Sequence, residues 1–255
     1  MKRLQTLFSR RAKSVGLAVV ALLVLPALTM ATQPEVADSS APERWTVVEL
    51  FSSQSCGACP EALAYMDELA ARPGVLALNW SVDFWDHMGW HDTMAQPEYG
   101  ARQKAYNSRL HRAGIYTPQM IIDGRIQMVG SDRDQVEEEL SSPDTGTQAL
   151  PVVHTEDGVI IDLPSRAQVL KAQVLLVHYT LDQDVTVETG DNKGKTLHYR
   201  NAVTRAFPVA EWDGDSHRLV INKEDLCKEG NAVLVQTETG GEILYTALVG
   251  PAGGL

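Results

Sequence analysis

Cys56-Gly57-Ala58-Cys59 follows an apolar segment, Trp45–Phe51, and a short polar turn, and Pro60 then opens a helical pattern. Two cysteines separated by two residues, where a strand passes into a helix, have the spacing and context of a thiol–disulfide redox site. The unpaired backbone N–H groups at a helix N-terminus favour a negative sulfur there, so Cys56 is expected to have a depressed pKa and to attack. Cys59, about one turn on, is expected to resolve the resulting mixed disulfide. Pro60 fits the first helical turn, where its missing N–H has no partner to lose. Such a pair carries both electrons itself and requires no bound cofactor.

Other readings of the pair are weaker. Haem attachment needs a histidine directly after Cys59, and Pro60 is there. A closed zinc site wants four ligands, and only Cys227 remains as a further cysteine. A bridge over so short a loop restrains little of the unfolded chain, which argues against a purely structural disulfide. Cys227 stands among Glu224, Asp225, Lys228 and Glu229 and reads as a spare thiol.

The elements that must position the pair follow in order. Glu61–Arg72 has apolar residues at helical spacing, and Pro73-Gly74 stops it. Val75–Val82 reads as a strand buried on both faces. Asp83–Asp92, DFWDHMGWHD, reads as a loop whose Trp85 and Trp90 pack on the domain or form a wall of the substrate groove. His87 and His91, with Asp86 or Asp92, are the alternative there as metal ligands. Pro97–Arg112 reads as a helix on which Arg102, Gln103 and Tyr106 are surface and packing residues. Two short strands, Gln119–Ile122 and Arg125–Val129, flank Asp123-Gly124, and Ser131 is expected to cap a helix over Asp132–Leu140.

Turn formers cluster over Ser141–Gly146, which predicts a domain boundary near residue 145. Strand-like segments then dominate from Leu150 to Val249, and their spacing predicts a β-sandwich. Gly190–Gly194, GDNKG, lacks the sequence context of a phosphate loop and reads as a hairpin turn. The sequence thus divides into 1–31, 32–44, 45–145 and 146–255.

Residues 1–31 combine a basic head, Lys2 to Lys13, with an apolar run, Val15–Leu28, and small residues at Thr29-Met30-Ala31. That is the pattern of a signal peptide, predicting a periplasmic or secreted protein with no stable membrane insertion after cleavage. Residues 32–44 read as a flexible lead-in. Removing the five positive charges of the leader takes the formal net charge from −11 to −16. Acidity of that size argues against nucleic acid as a partner. An oxidising compartment would hold a CxxC pair as a disulfide unless a partner reduced it.

Five segments, Val48–Pro60, Val82–Asp92, Arg102–Tyr106, Tyr116–Met120 and Gly190–Val203, together resemble a family of secreted bacterial thioredoxin-like proteins of unassigned function. The resemblance implies an α/β thioredoxin-like N-terminal domain followed by an all-β, sandwich-like C-terminal domain. It also implies a cis peptide bond at Thr117-Pro118, in a loop facing the cysteines. Thr117 and Pro118 would then hold an extended substrate peptide, with Tyr116 and Gln119 bordering the groove. Similar oxidoreductases keep a buried acid near the pair; strand matching assigns that proton-transfer role to Glu49, whereas counting back six residues from Cys56 reaches Leu50. The function implied is an exported thiol–disulfide oxidoreductase acting on protein or peptide thiols and disulfides, recycled by a redox partner. The rival expectations are a non-catalytic docking protein braced by the disulfide and a periplasmic metal carrier.

Overall fold

The computed structural model describes residues 43–169 and 171–251. The predicted leader and most of the lead-in lie outside the described residues. Strand β1 (Arg44–Ser52) runs into helix α1 (Cys59–Ala70), with Pro60 in its first turn, and strand β2 (Val75–Ser81) returns parallel to β1. A 3-10 turn over Asp83–Met88 leads to helix α2 (Pro97–Arg109). Strands β3 (Gln119–Ile122) and β4 (Ile126–Val129) extend the sheet antiparallel beyond β1. Helix α3 (Arg133–Leu140) follows. Its cap is Asp132, not Ser131: the Asp132 carboxylate accepts the Gln135 N–H at 3.2 Å.

The second half supplies β5 (Thr147–Ala149), β6 (Val152–Thr155), β7 (Gly158–Leu163), β8 (Ala172–Thr186), β9 (Thr196–Trp212), β10 (His217–Asn222), β11 (Gly230–Gln236) and β12 (Ile243–Leu248). It does not form a separate sandwich. β2 pairs with β1 on one edge and β9 on the other, and the order continues through β8, β11, β12 and β5 back to β1. Those seven strands close a barrel, and β3 and β4 project from it. The expected fold, an α/β N-terminal domain plus an independent β domain, is therefore corrected. The described residues all fall in one compact unit, and the turn cluster near residue 145 is a connection inside it.

The physical reason lies in the strand edges. An unpaired edge of β2 would present bare N–H and C=O groups, and β9 covers it. At 15 and 17 residues, β8 and β9 are long enough to serve two neighbours each, and bulges at Val174/Leu175 and His178/Tyr179 let them bend. The β2–β9 seam has a single parallel bridge, Asn79 with Ala202. Two side-chain amides complete it: Asn79 Nδ2 donates to the Arg200 carbonyl at 2.6 Å, and Asn201 Nδ2 to the Ala77 carbonyl at 2.9 Å. Elsewhere the halves meet backbone to backbone. A side chain at Gly124 would place its Cβ 2.1 Å from the Gly241 carbonyl oxygen, so only glycine fits that turn.

Three apolar cores result. Inside the barrel, Val47, Phe51, Leu78, Trp80, Val177, Val203 and Leu234 pack with Tyr99 and Tyr106 of α2. Outside β1, alternation places Val48 and Leu50 against Ala62, Leu63 and Met66 of α1. The three-stranded sheet β10-β7-β6 covers the outer face of β8, β11 and β12.

A shared barrel predicts one cooperative urea transition, coincident by tryptophan fluorescence and far-UV circular dichroism. Asn201→Ala should lower its free energy by about 1–3 kcal/mol without splitting it. Two separated transitions would show that the halves fold independently.

Candidate functional site

The thiol pair sits where β1 gives way to α1. The Cys56 N–H donates to the Ser53 carbonyl and the Cys59 N–H to the Cys56 carbonyl, each at 3.1 Å, which folds the Gly57-Ala58 link into a turn. Both cysteines are free thiols. Cys56 is 5% exposed and Cys59 is fully buried. The hydrogen bond from the Cys59 thiol lowers the Cys56 pKa to about 6, against an opposing push from burial. The Thr117 hydroxyl and the Ala58 and Cys59 amides add to the lowering. In its protonated form Cys56 instead donates to the Thr117 carbonyl at 3.7 Å. Burial and the neighbouring Cys56 sulfur push the Cys59 thiol well up. One proton is thus held at Cys59 while the charge rests on Cys56.

The Thr117-Pro118 peptide bond is cis. Trp85 Nε1 donates to Thr117 Oγ1 at 2.7 Å, which leaves the Thr117 O–H free to point at Cys56. Tyr116 and Gln119 belong to an amide ladder rather than to an open groove. Gln103 Nε2 donates to the Tyr116 carbonyl at 2.8 Å and to Gln119 Oε1 at 2.9 Å, and Gln119 Nε2 donates to Asn107 Oδ1 at 2.7 Å. Gln119 is fully buried, so it fixes the loop from within.

Trp90 supports the other side. Its Nε1 donates to Gln54 Oε1 at 2.7 Å, while the Asp92 carboxylate accepts the Gln54 N–H at 2.8 Å. Asp92 also accepts the Met94 and Ala95 N–H groups, yet burial outweighs these bonds and pushes its pKa up to about 6. His87 and His91 are exposed on this segment, and His91 pairs with Asp86. Among the described residues, no three His, Cys, Asp or Glu side chains converge as a metal site.

Glu49 stands apart from the thiols. Alternation turns it into the barrel, on the face of Val47 and Phe51, while Leu50 faces α1 and Pro118. Its carboxylate accepts Arg102 Nε at 2.8 Å and Nη2 at 3.1 Å, and the Tyr106 hydroxyl. Arg102 Nη1 donates to Gln236 Oε1 at 2.9 Å, and its guanidinium lies 4.9 Å from the Trp80 ring. Burial pulls the Arg102 pKa down, but Glu49 and Tyr106 more than offset it. Arg102 and Tyr106 are therefore interior groups, not the helix-surface residues that their polarity suggests. Charge on an amphipathic helix ordinarily faces water, and only a carboxylate on β1 reverses that.

The second half also enters the site, which the reading of GDNKG as a plain hairpin turn did not indicate. The GDNKG turn does join β8 to β9, and it lies on the CxxC loop. Asn192 is fully buried; its Nδ2 donates to the Gln54 carbonyl at 3.0 Å and the Cys56 carbonyl at 2.8 Å, and Lys195 Nζ donates to its Oδ1 at 2.9 Å. A Cβ on Gly57 would stand 3.2 Å from Asp191 Oδ2. The reach of two long strands is the one signal that could have pointed there.

Fold and site define a mixed β-barrel protein with a buried, free thiol pair at the head of a helix. The chain belongs to the DUF1223 family, described as a protein of unknown function, whose model matches residues 47–236. It is 31% identical to a protein from Agrobacterium tumefaciens with a crystal structure, over 80% of this chain and 91% of that one, with a TM-score of 0.65. A likeness to HBP35 of Porphyromonas gingivalis, at 12% identity over 83% and 76% of the two chains with a TM-score of 0.47, is too distant to argue from. No curated protein matches.

These findings correct three expectations. Membership of DUF1223 replaces the thioredoxin-like resemblance, because neither that family's description nor its solved relative supplies a thioredoxin relation. The exported thiol–disulfide oxidoreductase loses its basis with it: the family has no assigned activity and the expected two-domain frame is a single barrel. The disulfide expected between Cys56 and Cys59, as redox centre or as brace, is not formed.

Arg102→Met leaves the buried Glu49 carboxyl group without its guanidinium partner, with only the Tyr106 hydroxyl still donating to it, and should cost about 3–5 kcal/mol of stability by chemical denaturation. Adding Glu49→Gln should recover part of that loss. An Arg102→Met protein as stable as its parent would mean that the pair is not sealed from water.

Proposed function

We propose that the protein is a covalent thiolate acceptor, in which Cys56 attacks a small electrophilic ligand and Cys59 steadies the sulfur beforehand. The carrying observation is that one sulfur combines a pKa lowered to about 6 with near-complete burial. Burial alone would neutralise a thiol, so an ionised sulfur in a dry site requires dedicated donors. The Cys59 thiol, the Thr117 hydroxyl and two backbone amides are those donors. The thiolate is the reactive form, so at neutral pH Cys56 is in its nucleophilic state. Its small exposed fraction favours reactants of a few atoms over the side of a folded partner. Attack forms a bond from sulfur to the electrophilic atom, and the electron pair leaves with the departing group.

The pattern of residues 1–31 supports an exported location. An oxidising compartment would close the pair, so this reading includes a reducing partner that keeps both thiols free.

Labelling of the reduced protein with iodoacetamide, followed by peptide mapping, tests the reading. Because the Cys56 pKa is lowered, labelling should rise with pH through a midpoint near 6 and level off above it. Cys59→Ala removes the leading donor and should move that midpoint up by about one unit or more, slowing labelling at low pH about tenfold. A midpoint in the ordinary thiol range of about 8.5, or labelling only after unfolding, would overturn it.

A further inference from the structure

The GDNKG turn brings one buried amide onto the thiol loop, and every hydrogen-bonding group of that amide is in use. Asn192 Oδ1 accepts Lys195 Nζ at 2.9 Å, and Nδ2 donates to the Gln54 carbonyl at 3.0 Å and the Cys56 carbonyl at 2.8 Å. An ammonium group has only donors, so Lys195 claims the amide oxygen and leaves the amide nitrogen for the two carbonyls. Asn192 is fully buried, whereas Lys195 is exposed. The turn that presents the amide is closed by its own bonds: the Gly194 N–H donates to the Val187 carbonyl at 2.8 Å and the Val187 N–H to the Lys195 carbonyl at 2.9 Å. Thr189 Oγ1 donates to the Gly89 carbonyl, which anchors the same turn to the segment after the 3-10 turn.

What the amide holds bears directly on Cys56. Helix α1 begins at Cys59 without a side-chain cap, so the N–H groups of its first turn are free for an anion. Cys56 meets them only while the loop stays folded, with the Cys56 N–H on the Ser53 carbonyl and the Cys56 carbonyl accepting the Cys59 N–H, each at 3.1 Å. Asn192 bonds that same Cys56 carbonyl and the Gln54 carbonyl two residues before it. In a trans peptide the C=O and N–H point in opposite directions, so a carbonyl fixed toward the hairpin fixes the Gly57 N–H away from it.

We propose that Asn192, oriented by Lys195, is a positioning residue for the Cys56 nucleophile, holding the carbonyl side of the thiol turn so that the sulfur stays at the uncapped N-terminus of α1. This role rests on the nucleophile reading of Cys56. Without the amide, two carbonyls of a buried loop lose a donor and turn toward water, and the sulfur moves off the helix with them. The Lys195 charge polarises the amide between it and the Cys56 carbonyl, which strengthens both bonds. The charged and titratable groups that face this turn include Cys59 on α1, Asp92 on the Gln54 N–H, and Asp191 and Lys195 on the hairpin. A residue of the second half thereby governs a sulfur 136 positions earlier in the chain.

The test uses the full chain carrying Cys227→Ser, followed by the ultraviolet absorbance of the thiolate against pH. That signal needs no reagent to reach the sulfur, and burial holds the Cys59 thiol well up, so the first step belongs to Cys56. Asn192→Ala should raise the Cys56 midpoint by about one unit, a tenfold loss of thiolate below the parent midpoint. Lys195→Met should raise it in the same direction by less and, because it alters an exposed side chain, covers the case in which Asn192→Ala fails to fold. A merely structural tie would lower the stability of Asn192→Ala and leave the midpoint in place. A midpoint unmoved in every folded variant would overturn the proposal. The shift is a difference between variant and parent, whatever the parent midpoint, whereas iodoacetamide labelling of the parent tests the nucleophile reading, so each can fail without the other.

Discussion

Because β2 is bonded to β1 on one edge and to β9 on the other, both halves of the chain share one interior, and neither can bury its apolar face alone. The closure is asymmetric in strength. β1 and β2 pair along seven consecutive residues, whereas β2 and β9 have one ladder bridge and two asparagine amides. Backbone groups buried in a seam must be paired, and side-chain amides are the groups that can stand in for a missing ladder. The same closure turns one face of α2 to the barrel interior and explains why that helix carries an arginine inward: Glu49, turned to the interior by strand alternation, would otherwise lack a cationic partner.

The thiol site is a consequence of this sharing. β1 and α1 supply the turn that holds Cys56 and Cys59, and the Thr117-Pro118 loop supplies one wall and a hydroxyl donor. The hairpin at the far end of β8 and β9 then returns to the turn, and Asn192 binds the carbonyls of Gln54 and Cys56. The loop is thereby pinned from three directions: from within by backbone bonds, from the side by Trp90 and Asp92, and from above by Asn192. A preorganised loop keeps its N–H donors aimed at one sulfur, so no reorganisation is needed when charge forms there.

Much of the first half was legible. Apolar periodicity located β1, α1, β2 and α2 to within a few residues, and Pro60 and Pro73-Gly74 marked where α1 starts and stops. In the second half, the strand-like segments exist, but their partners were misread. Strand patterning records which face of a strand is buried and not which strand lies beside it, so a barrel and a sandwich write nearly the same pattern. Glu49 illustrates the same gap on a single residue, since its position in an apolar strand indicated a buried acid but not the side on which it lies. Asn192 was not singled out as a site residue, because nothing local distinguishes an asparagine that binds the carbonyl of a cysteine more than a hundred residues away.

What the sequence by itself determined is the local chemistry. Two thiols at helical-turn spacing, a proline to start the helix and a strand before them fix where a sulfur will meet free backbone N–H groups, because those relations span only a few residues. Which acid faces the pair, which hairpin covers it and whether the two halves pack as one body were decided only by the tertiary structure. Those contacts join residues far apart in the chain, and they are selected by the closing of strand edges, a condition that no single segment contains.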